Sequence, residues 1–325
     1  MTFIRTQIVG YGSSLPKKIM TNDDLSKIVD TSDEWIIERT GIKSRHIAEK
    51  ETSSSLAYEA SIKALKSANI KAKNIDLVIL ATITPDNTTP ATATKVAALL
   101  GVKSGVPAFD LSAACSGFVY ALTMADNMIR LGQVKTALVI GVETLSKITD
   151  WTDRNTCVLF GDGAGAIVVK AGEGTGTVED RGILATKIFA DGAHYDDLKT
   201  LGGISTTKDI SHLWMNGKEV FKYAISALSE AAEAVAHDAG IKVTDIDWLV
   251  PHQANTRIID GVGKKLELPD EKVIITVDHH GNTSAASIPL ALSENIESGK
   301  LKKGDLIIIN GMGAGFTWGG ALIRL

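Results

Sequence analysis

In Val106-Pro107-Ala108-Phe109-Asp110-Leu111-Ser112-Ala113-Ala114-Cys115-Ser116-Gly117-Phe118-Val119-Tyr120-Ala121-Leu122, an apolar strand, Val106 to Leu111, gives way to small residues and then to a helix. That helix, Phe118 to Leu131, is apolar on nearly every face, so it has to be covered on all sides. A strand feeding such a helix belongs to a layered α/β architecture. The same order puts the Cys115 sulfur at the first turn of a buried helix, where unpaired N–H groups and the helix dipole favour a thiolate. Small neighbours leave a substrate room to approach, and a sharp strand-to-helix turn is a recurrent mount for a nucleophile.

Outward from this stretch, one order of elements occurs twice. A helix over Ser55 to Ala68 leads through Asn74-Ile75-Asp76 to the strand Leu77 to Leu80; a helix over Ser226 to Ala239 leads through Asp245-Ile246-Asp247 to Trp248-Leu249-Val250. Ala108-Phe109-Asp110 then enters the Cys115 helix, which ends near Gly132 before the strand Thr136 to Ile140. Its counterpart is Thr276-Val277-Asp278, the helix Ser284 to Ile296 and the strand Leu306 to Ile309. The Asp76-to-Asp110 and Asp247-to-Asp278 separations nearly match, which is the mark of an internal repeat. Near-continuous apolar strands such as Leu306-Ile307-Ile308-Ile309 predict parallel sheets covered on both faces. The expectation is two similar α/β halves, residues 1–172 and 173–325, joined in the loop-forming stretch Ala171 to Gly176 after a strand over Ala166 to Lys170.

The chain has 325 residues, 44% of them hydrophobic, which suits an extensive core. A net charge of −4 gives no support to a nucleic-acid surface, so a small-molecule partner is expected. Two cysteines without C-x-x-C spacing argue against a disulfide framework and structural zinc, and fit the cytoplasm. Met1 to Gly10, with Phe3, Ile4, Ile8 and Val9, reads as a strand and not as a signal peptide. No segment approaches the roughly 20 apolar residues that span a bilayer.

Loops leaving the carboxyl ends of strands build the sites of open α/β sheets. Four such places carry candidate chemistry: Cys115 after Val106 to Leu111, His252 after Trp248 to Pro251, Asn282 after Val273 to Asp278, and the turn Gly311-Met312-Gly313-Ala314-Gly315 after Leu306 to Asn310. Taken singly, His252 reads equally as a satisfied histidine, Asn282 as a turn or cap residue, and the glycine run as a poor match to a phosphate cradle. Gly161-Asp162-Gly163-Ala164-Gly165 leads into a strand, so its glycines serve tight packing. Together the four ends describe a reaction. A thiolate accepts an acyl group from a thioester at little cost in free energy, and the Cys115 N–H with one from the Gly313-Ala314 turn can hold the oxyanion. A neutral imidazole and a carboxamide, His252 and Asn282, can donate to a second carbonyl that becomes enolate-like as CO2 departs. That points to decarboxylative carbon–carbon bond formation more than to hydrolysis.

The chain resembles the β-ketoacyl-acyl-carrier-protein synthase III family of the thiolase superfamily almost end to end. The resemblance rests on Thr31-Ser32-Asp33-Glu34-Trp35-Ile36 with Arg39-Thr40-Gly41-Ile42, Ser112 to Gly117, Gly161 to Ala166, Pro251-His252-Gln253-Ala254-Asn255, Gly281-Asn282-Thr283-Ser284-Ala285 and Gly315-Phe316-Thr317-Trp318-Gly319. It implies a thiolase-like five-layered α/β/α/β/α fold of two similar halves, in a homodimer, with Cys115, His252 and Asn282 as the catalytic set. It implies an acyl-CoA donor, acetyl-CoA by default, malonyl-acyl-carrier protein as acceptor, no tightly bound cofactor and no metal. The backbone of Cys115 and Ala314 would form the oxyanion hole. Trp35 and Arg154 match the pair that sandwiches the CoA adenine, with Arg39 near its phosphates; Gly217, Phe221, Ala254 and Asn255 match the pantetheine channel. Lys222 and Arg257 match the face that meets the carrier protein, which Lys218, Lys264 and Lys265 would extend.

Departures fall where the family shapes its acyl pocket: Met312 replaces a common Phe, and Thr88-Thr89-Pro90 stands where a bulky residue often reaches across the dimer, with Thr89 as the pocket residue. Ala314 replaces a glycine but keeps its N–H, and Cys157 matches no catalytic position. The rival readings are a Cys-His-Asn condensing enzyme of secondary metabolism with another donor or acceptor, and a non-catalytic acyl-CoA-binding protein.

Overall fold

The structure, a computed structural model, describes residues 3–325; Met1 and Thr2 of the expected first strand lie outside them. Two sheets repeat one topology. The first runs in the order Phe3–Ser14, Asp162–Gly174, Thr136–Thr144, Leu77–Ala81, Ala108–Leu111. The second runs Gly182–Ala190, Thr317–Arg324, Leu306–Gly313, Trp248–Pro251, and a single parallel bridge from Leu249 to Val273 stands where the fifth strand would be. In both, the central pairs are parallel and the two outermost pairs on the other side antiparallel. The sheets are therefore mixed and not wholly parallel. Burial on both faces makes a strand uniformly apolar without dictating its direction.

The repeat is pinned by equivalent carboxylates. Asp76 Oδ2 accepts the Thr136 N–H at 3.1 Å, and Asp247 Oδ2 accepts the Leu306 N–H at 2.7 Å. The pairing of Asp110 with Asp278 does not hold: ladder register makes Val273, bridged to Leu249, the counterpart of Ala108, bonded to Val78. Asp110 instead accepts the Thr92 and Ala93 N–H groups at the start of the helix Thr92–Leu100, whereas Asp278 lies in a helical turn, Val277–His280. The strand expected over Val273 to Asp278 is absent for a local reason. Gln253 Oε1 takes the Thr276 and Val277 N–H groups at 2.7 and 3.1 Å, which draws the backbone out of the ladder. The join also moves. The strand Asp162–Gly174 stays paired with Phe3–Ser14 to its end, and its Gly172 and Gly174 make room for the Gln7 and Arg5 side chains, so the crossover falls at 175–181.

Alternation sorts the side chains into three apolar layers. Leu77, Ile79, Ile307 and Ile309 face inward onto Phe118, Leu122, Ile288 and Leu292 of two central helices, Gly117–Arg130 and Ser287–Glu297. Val78, Leu80, Leu138 and Ile140 face out onto Leu56, Ala60 and Ala64 of the helix Ser53–Ala68. Leu249, Ile308 and Leu322 face the other way onto Ala224, Leu228 and Val235 of the helix Gly217–Asp238, which begins nine residues before the expected Ser226. The result is the five-layered α/β/α/β/α stack. No helix among the described residues is long and apolar enough to cross a membrane.

Each central helix is entered through a tight turn, Ala114–Ser116 in one half and Ser284–Ala286 in the other. Both turns open on a left-handed residue, Ala114 at φ 46° and Ser284 at φ 47°. A non-glycine residue held there costs about 1–3 kcal/mol, which the surrounding packing must offset. The two turns pack on each other, with the space above the Gly117 Cα closed by the Ala81 and Ala285 methyl groups. Each is crossed by a strand of the opposite half: Gly311 and Gly313 lie against the Cys115 backbone, and Gly141 against the Ala285 carbonyl.

Candidate active site

One cavity of about 740 Å³ brings Cys115, His252, Asn282, Met312 and Ala314 together, and Gly217, Phe221, Ala254 and Asn255 line it too. Cys115 is 9% exposed and sits on the Ala114–Ser116 turn, two residues before the α-helix and not in its first turn. Burial pushes its thiol up to about 12, against the expectation of a ready thiolate. The magnitudes explain the outcome. Burial shifts a pKa by up to about 3–5 units, each worth about 1.4 kcal/mol, whereas a helix end contributes about 0.3–2 kcal/mol. Gly313 is needed where it stands, because a Cβ there would lie 2.5 Å from the Cys115 nitrogen. Neither the Cys115 nor the Ala314 N–H is bonded to an acceptor among the described residues, so both remain for an oxyanion.

His252 is fixed at both ends. Its N–H donates to the Asn310 carbonyl at 2.7 Å, and its ring Nδ1 lies 2.7 Å from Ser287 Oγ. Ser287 Oγ also accepts the Gln253 N–H, so its own proton is free for Nδ1, the tautomer that leaves Nε2–H as a donor. Burial holds the imidazole neutral, pushing it down to about 3. Asn282 Oδ1 accepts the Ser284 N–H at 2.9 Å, which orients the amide and leaves Nδ2 as its donor. The backbone of Asn282 is itself clamped between Leu159 and Gly161.

Sequence reasoning passed over a carboxylate behind the thiol. Glu143 is 0% exposed and accepts from Thr84 Oγ1 at 2.6 Å and from Thr82 Oγ1, the Ile83 N–H and Ser284 Oγ at 3.2 Å each. Burial pushes its carboxyl up to about 7. Ser284, which donates to this carboxylate, lines the same cavity as Cys115. The signal was a charge inside the apolar run Ala137-Leu138-Val139-Ile140-Gly141-Val142-Glu143, since a lone buried charge needs partners.

The remaining candidates lie outside the cavity wall. Arg154 stacks on the Trp35 ring at 4.9 Å and Arg39 approaches it at 5.7 Å. An intercalated base needs roughly 7 Å between flanking planes, so it would have to displace the Arg154 guanidinium, which also donates to the Asp30 carbonyl at 3.0 Å. Arg257 lies over the ring of Phe221 at 5.4 Å, and Lys218, Lys222, Lys264 and Lys265 are exposed. Thr89 is exposed and does not line the cavity of its own chain; Pro85, Asn87 and Thr88 of that loop do. Cys157 is buried away from the cavity.

Family models of 3-oxoacyl-[acyl-carrier-protein] synthase III match residues 109–192, and those of its C-terminal part match residues 236–325. The chain is 57% identical over 322 residues to β-ketoacyl-[acyl-carrier-protein] synthase III of Rhodospirillum centenum, covering 99% of each, and 56% identical over 323 residues to that of Paramagnetospirillum magneticum, again covering 99% of each. The crystal structure of the synthase III from Aquifex aeolicus is similar at a TM-score of 0.92 and 49% identity, over 98% of this chain and 100% of that one.

Proposed function

The chain belongs to the β-ketoacyl-[acyl-carrier-protein] synthase III family, the initiating condensing enzymes of fatty-acid synthesis, and from that premise we propose which residues do the work. Cys115 is the nucleophile. Its sulfur attacks the carbonyl of a short-chain acyl-CoA, acetyl-CoA by default, the Cys115 and Ala314 N–H groups hold the oxyanion, and CoA leaves. The malonyl group of an acyl-carrier protein then places its thioester oxygen between His252 Nε2 and Asn282 Nδ2. As CO2 departs, these donors stabilise the enolate, whose carbon attacks the acyl-cysteine. A neutral imidazole suits this step, because its N–H is too weak an acid to quench the carbanion, and burial is what keeps His252 neutral.

The observation that carries this reading is the convergence of Cys115, His252 and Asn282 on one cavity, beside two uncommitted N–H groups. Intact-protein mass spectrometry after mixing with acetyl-CoA should show one acyl adduct on Cys115; its absence with every short-chain donor would leave only a binding role. Met312 is the residue of this chain that bounds the acyl end, and any role of Thr89 has to be played across a homodimer. Lys222 and Arg257 form the docking face, supported by the contact of Arg257 with Phe221 at the cavity wall. Arg257→Glu should raise KM for the carrier-protein substrate by roughly tenfold while acylation by CoA thioesters continues; equal loss of both would remove Arg257 from docking.

A further inference from the structure

Two adjacent histidines end the helical turn Val277–His280, and the fold lays that turn against the last part of the helix Ser287–Glu297, so that both imidazoles meet Glu294. His279 Nε2 lies 3.0 Å from Glu294 Oε2, and His280 Nε2 lies 3.4 Å from the same oxygen. His280 is 6% exposed, and its Nδ1 has no hydrogen-bond partner among the described residues, which leaves Nε2 as the outlet of the ring. At 3.4 Å that outlet stands beyond the usual N–H···O separation of about 2.7–3.2 Å. A buried imidazole in this position wants a partner that the protein alone does not supply. We propose that His279, His280 and Glu294 form a binding site for a divalent first-row metal ion, with zinc the ion that suits the donor set best.

The spacing fits such an ion. Zinc–nitrogen bonds of about 2.0–2.1 Å and zinc–oxygen bonds of about 2.0–2.2 Å, disposed tetrahedrally, put ligand atoms roughly 3.3–3.5 Å apart. The separations of 3.0 and 3.4 Å are close to that, and all three ligand atoms lie within 4.8 Å of one another. A small turn of the partly exposed His279 ring is enough to draw them in. Asp278 Oδ1 accepts from His279 Nδ1 at 2.7 Å, the carboxylate support that metal-bound histidines commonly have, and it leaves Nε2 as the ligating nitrogen. In the empty site a proton on His279 Nε2 bridges to Glu294. The ion takes its place, and the proton passes to solvent.

Two imidazoles beside one carboxylate favour zinc and its neighbours over magnesium and calcium, which take oxygen ligands. The surrounding charge suits a dication. Asp278 and Glu297 join Glu294, against Lys43, 3.6 Å from Asp278, and His46, whose ring lies 6.2 Å from that of His280. The remaining coordination position opens on a cleft of about 340 Å³ lined by Ser13, Glu297 and Ser298. None of the three ligands lines the cavity that holds Cys115, so the ion stands apart from the reacting groups. Its effect is mechanical: it fastens the turn that leads through Gly281 to Asn282 onto the helix Ser287–Glu297.

Titration of the tag-free chain with zinc chloride tests the site, carried out in a Cys115→Ala background so that the cavity thiol cannot take the ion. Calorimetry should find one zinc ion per chain, and the thermal midpoint should rise with free zinc. Cobalt(II) should give the visible absorption of a four-coordinate nitrogen–oxygen site, and zinc should abolish it. His279→Gln and Glu294→Gln, both at partly exposed positions, should each weaken binding by more than about 100-fold, and Asp278→Asn, which removes support but no ligand, by roughly 10–100-fold. In chelator these variants should differ from the parent only through the lost ion pair. Failure of the parent to take up zinc or cobalt would overturn the site, as would undiminished binding in both His279→Gln and Glu294→Gln.

Discussion

Ala114–Ser116 and Ser284–Ala286 hold equivalent places in the two halves, open on the same left-handed conformation and lead into the two central helices. The first presents a thiol to a cavity; the second buries the Ala285 methyl at 1% exposure. The strands that cross them differ in the complementary sense. Counted from the clamped residues Thr136 and Leu306, Gly311 corresponds to Gly141 and Gly313 to Glu143. The strand over the thiol turn thus ends in a residue with no side chain, leaving space beside the Cys115 backbone, and the strand over the other turn carries, one place before its end, a carboxylate that accepts from Ser284. One backbone frame, used twice, yields a thiol-bearing turn and a supporting turn according to which side chains are omitted.

Cys115→Ala gives the first turn the side chain of the second. Acyl transfer from acetyl-CoA should fall by roughly 10⁴-fold or more, measured as loss of the protein adduct, while decarboxylation of the malonyl group persists. Acylation at another residue would undo the contrast. His252→Ala and Asn282→Ala strip the donors supplied by the second half, so malonyl decarboxylation should fall by about 10²–10³-fold with Cys115 acylation nearly unchanged; equal loss of both half-reactions in the Asn282 variant would contradict that division. Gly313→Ala puts a methyl 2.5 Å from the Cys115 nitrogen. Thermal unfolding should register about 1–3 kcal/mol of destabilisation, and the acylation burst should slow by roughly tenfold or more if the Cys115 and Ala314 N–H groups serve the oxyanion. Unchanged acylation would place the oxyanion elsewhere.

The smallest effect probes the approach to the supporting turn. His279 bonds Asp278 at 2.7 Å and Glu294 at 3.0 Å, and the Glu294 bond above all raises its pKa to about 9. A raised histidine stabilises the fold fully below its unfolded value of 6.5, and that contribution is lost as pH rises through about 9. Glu294, lowered chiefly by the same bond, contributes above its ordinary 4.5 and loses it on acidification. His279→Gln should therefore be destabilised most between these ordinary values and match the wild type above pH 9, the difference staying under about 1 kcal/mol because the pair is half in solvent. A deficit that grows with pH would show that other charges govern this approach.

Much of this was legible in the chain. The candidate residues sit at strand ends, and Cys115, His252, Asn282 and Ala314 are among those that meet in the cavity. The doubled clamp of Asp76 and Asp247 was visible as a repeat, but its second pair was misjudged at Asp278, because nothing in local pattern reveals that Gln253, 23 residues before Thr276, takes two ladder hydrogens. The thiol's protonation state escaped for a similar reason. Helix position is written in sequence, whereas desolvation depends on how completely distant segments close over the sulfur. Glu143 was readable as an oddity within an apolar strand; its partners Thr82, Thr84 and Ser284 come from segments far apart in the chain.

Because each turn is roofed by a strand from the opposite half, neither half holds a complete wall of the cavity. Pulling the halves apart at the crossover 175–181 would strip cover from the apolar sides of Gly117–Arg130 and Ser287–Glu297 at the same stroke. The cavity is thus a property of the packed pair, and neither half by itself would enclose it.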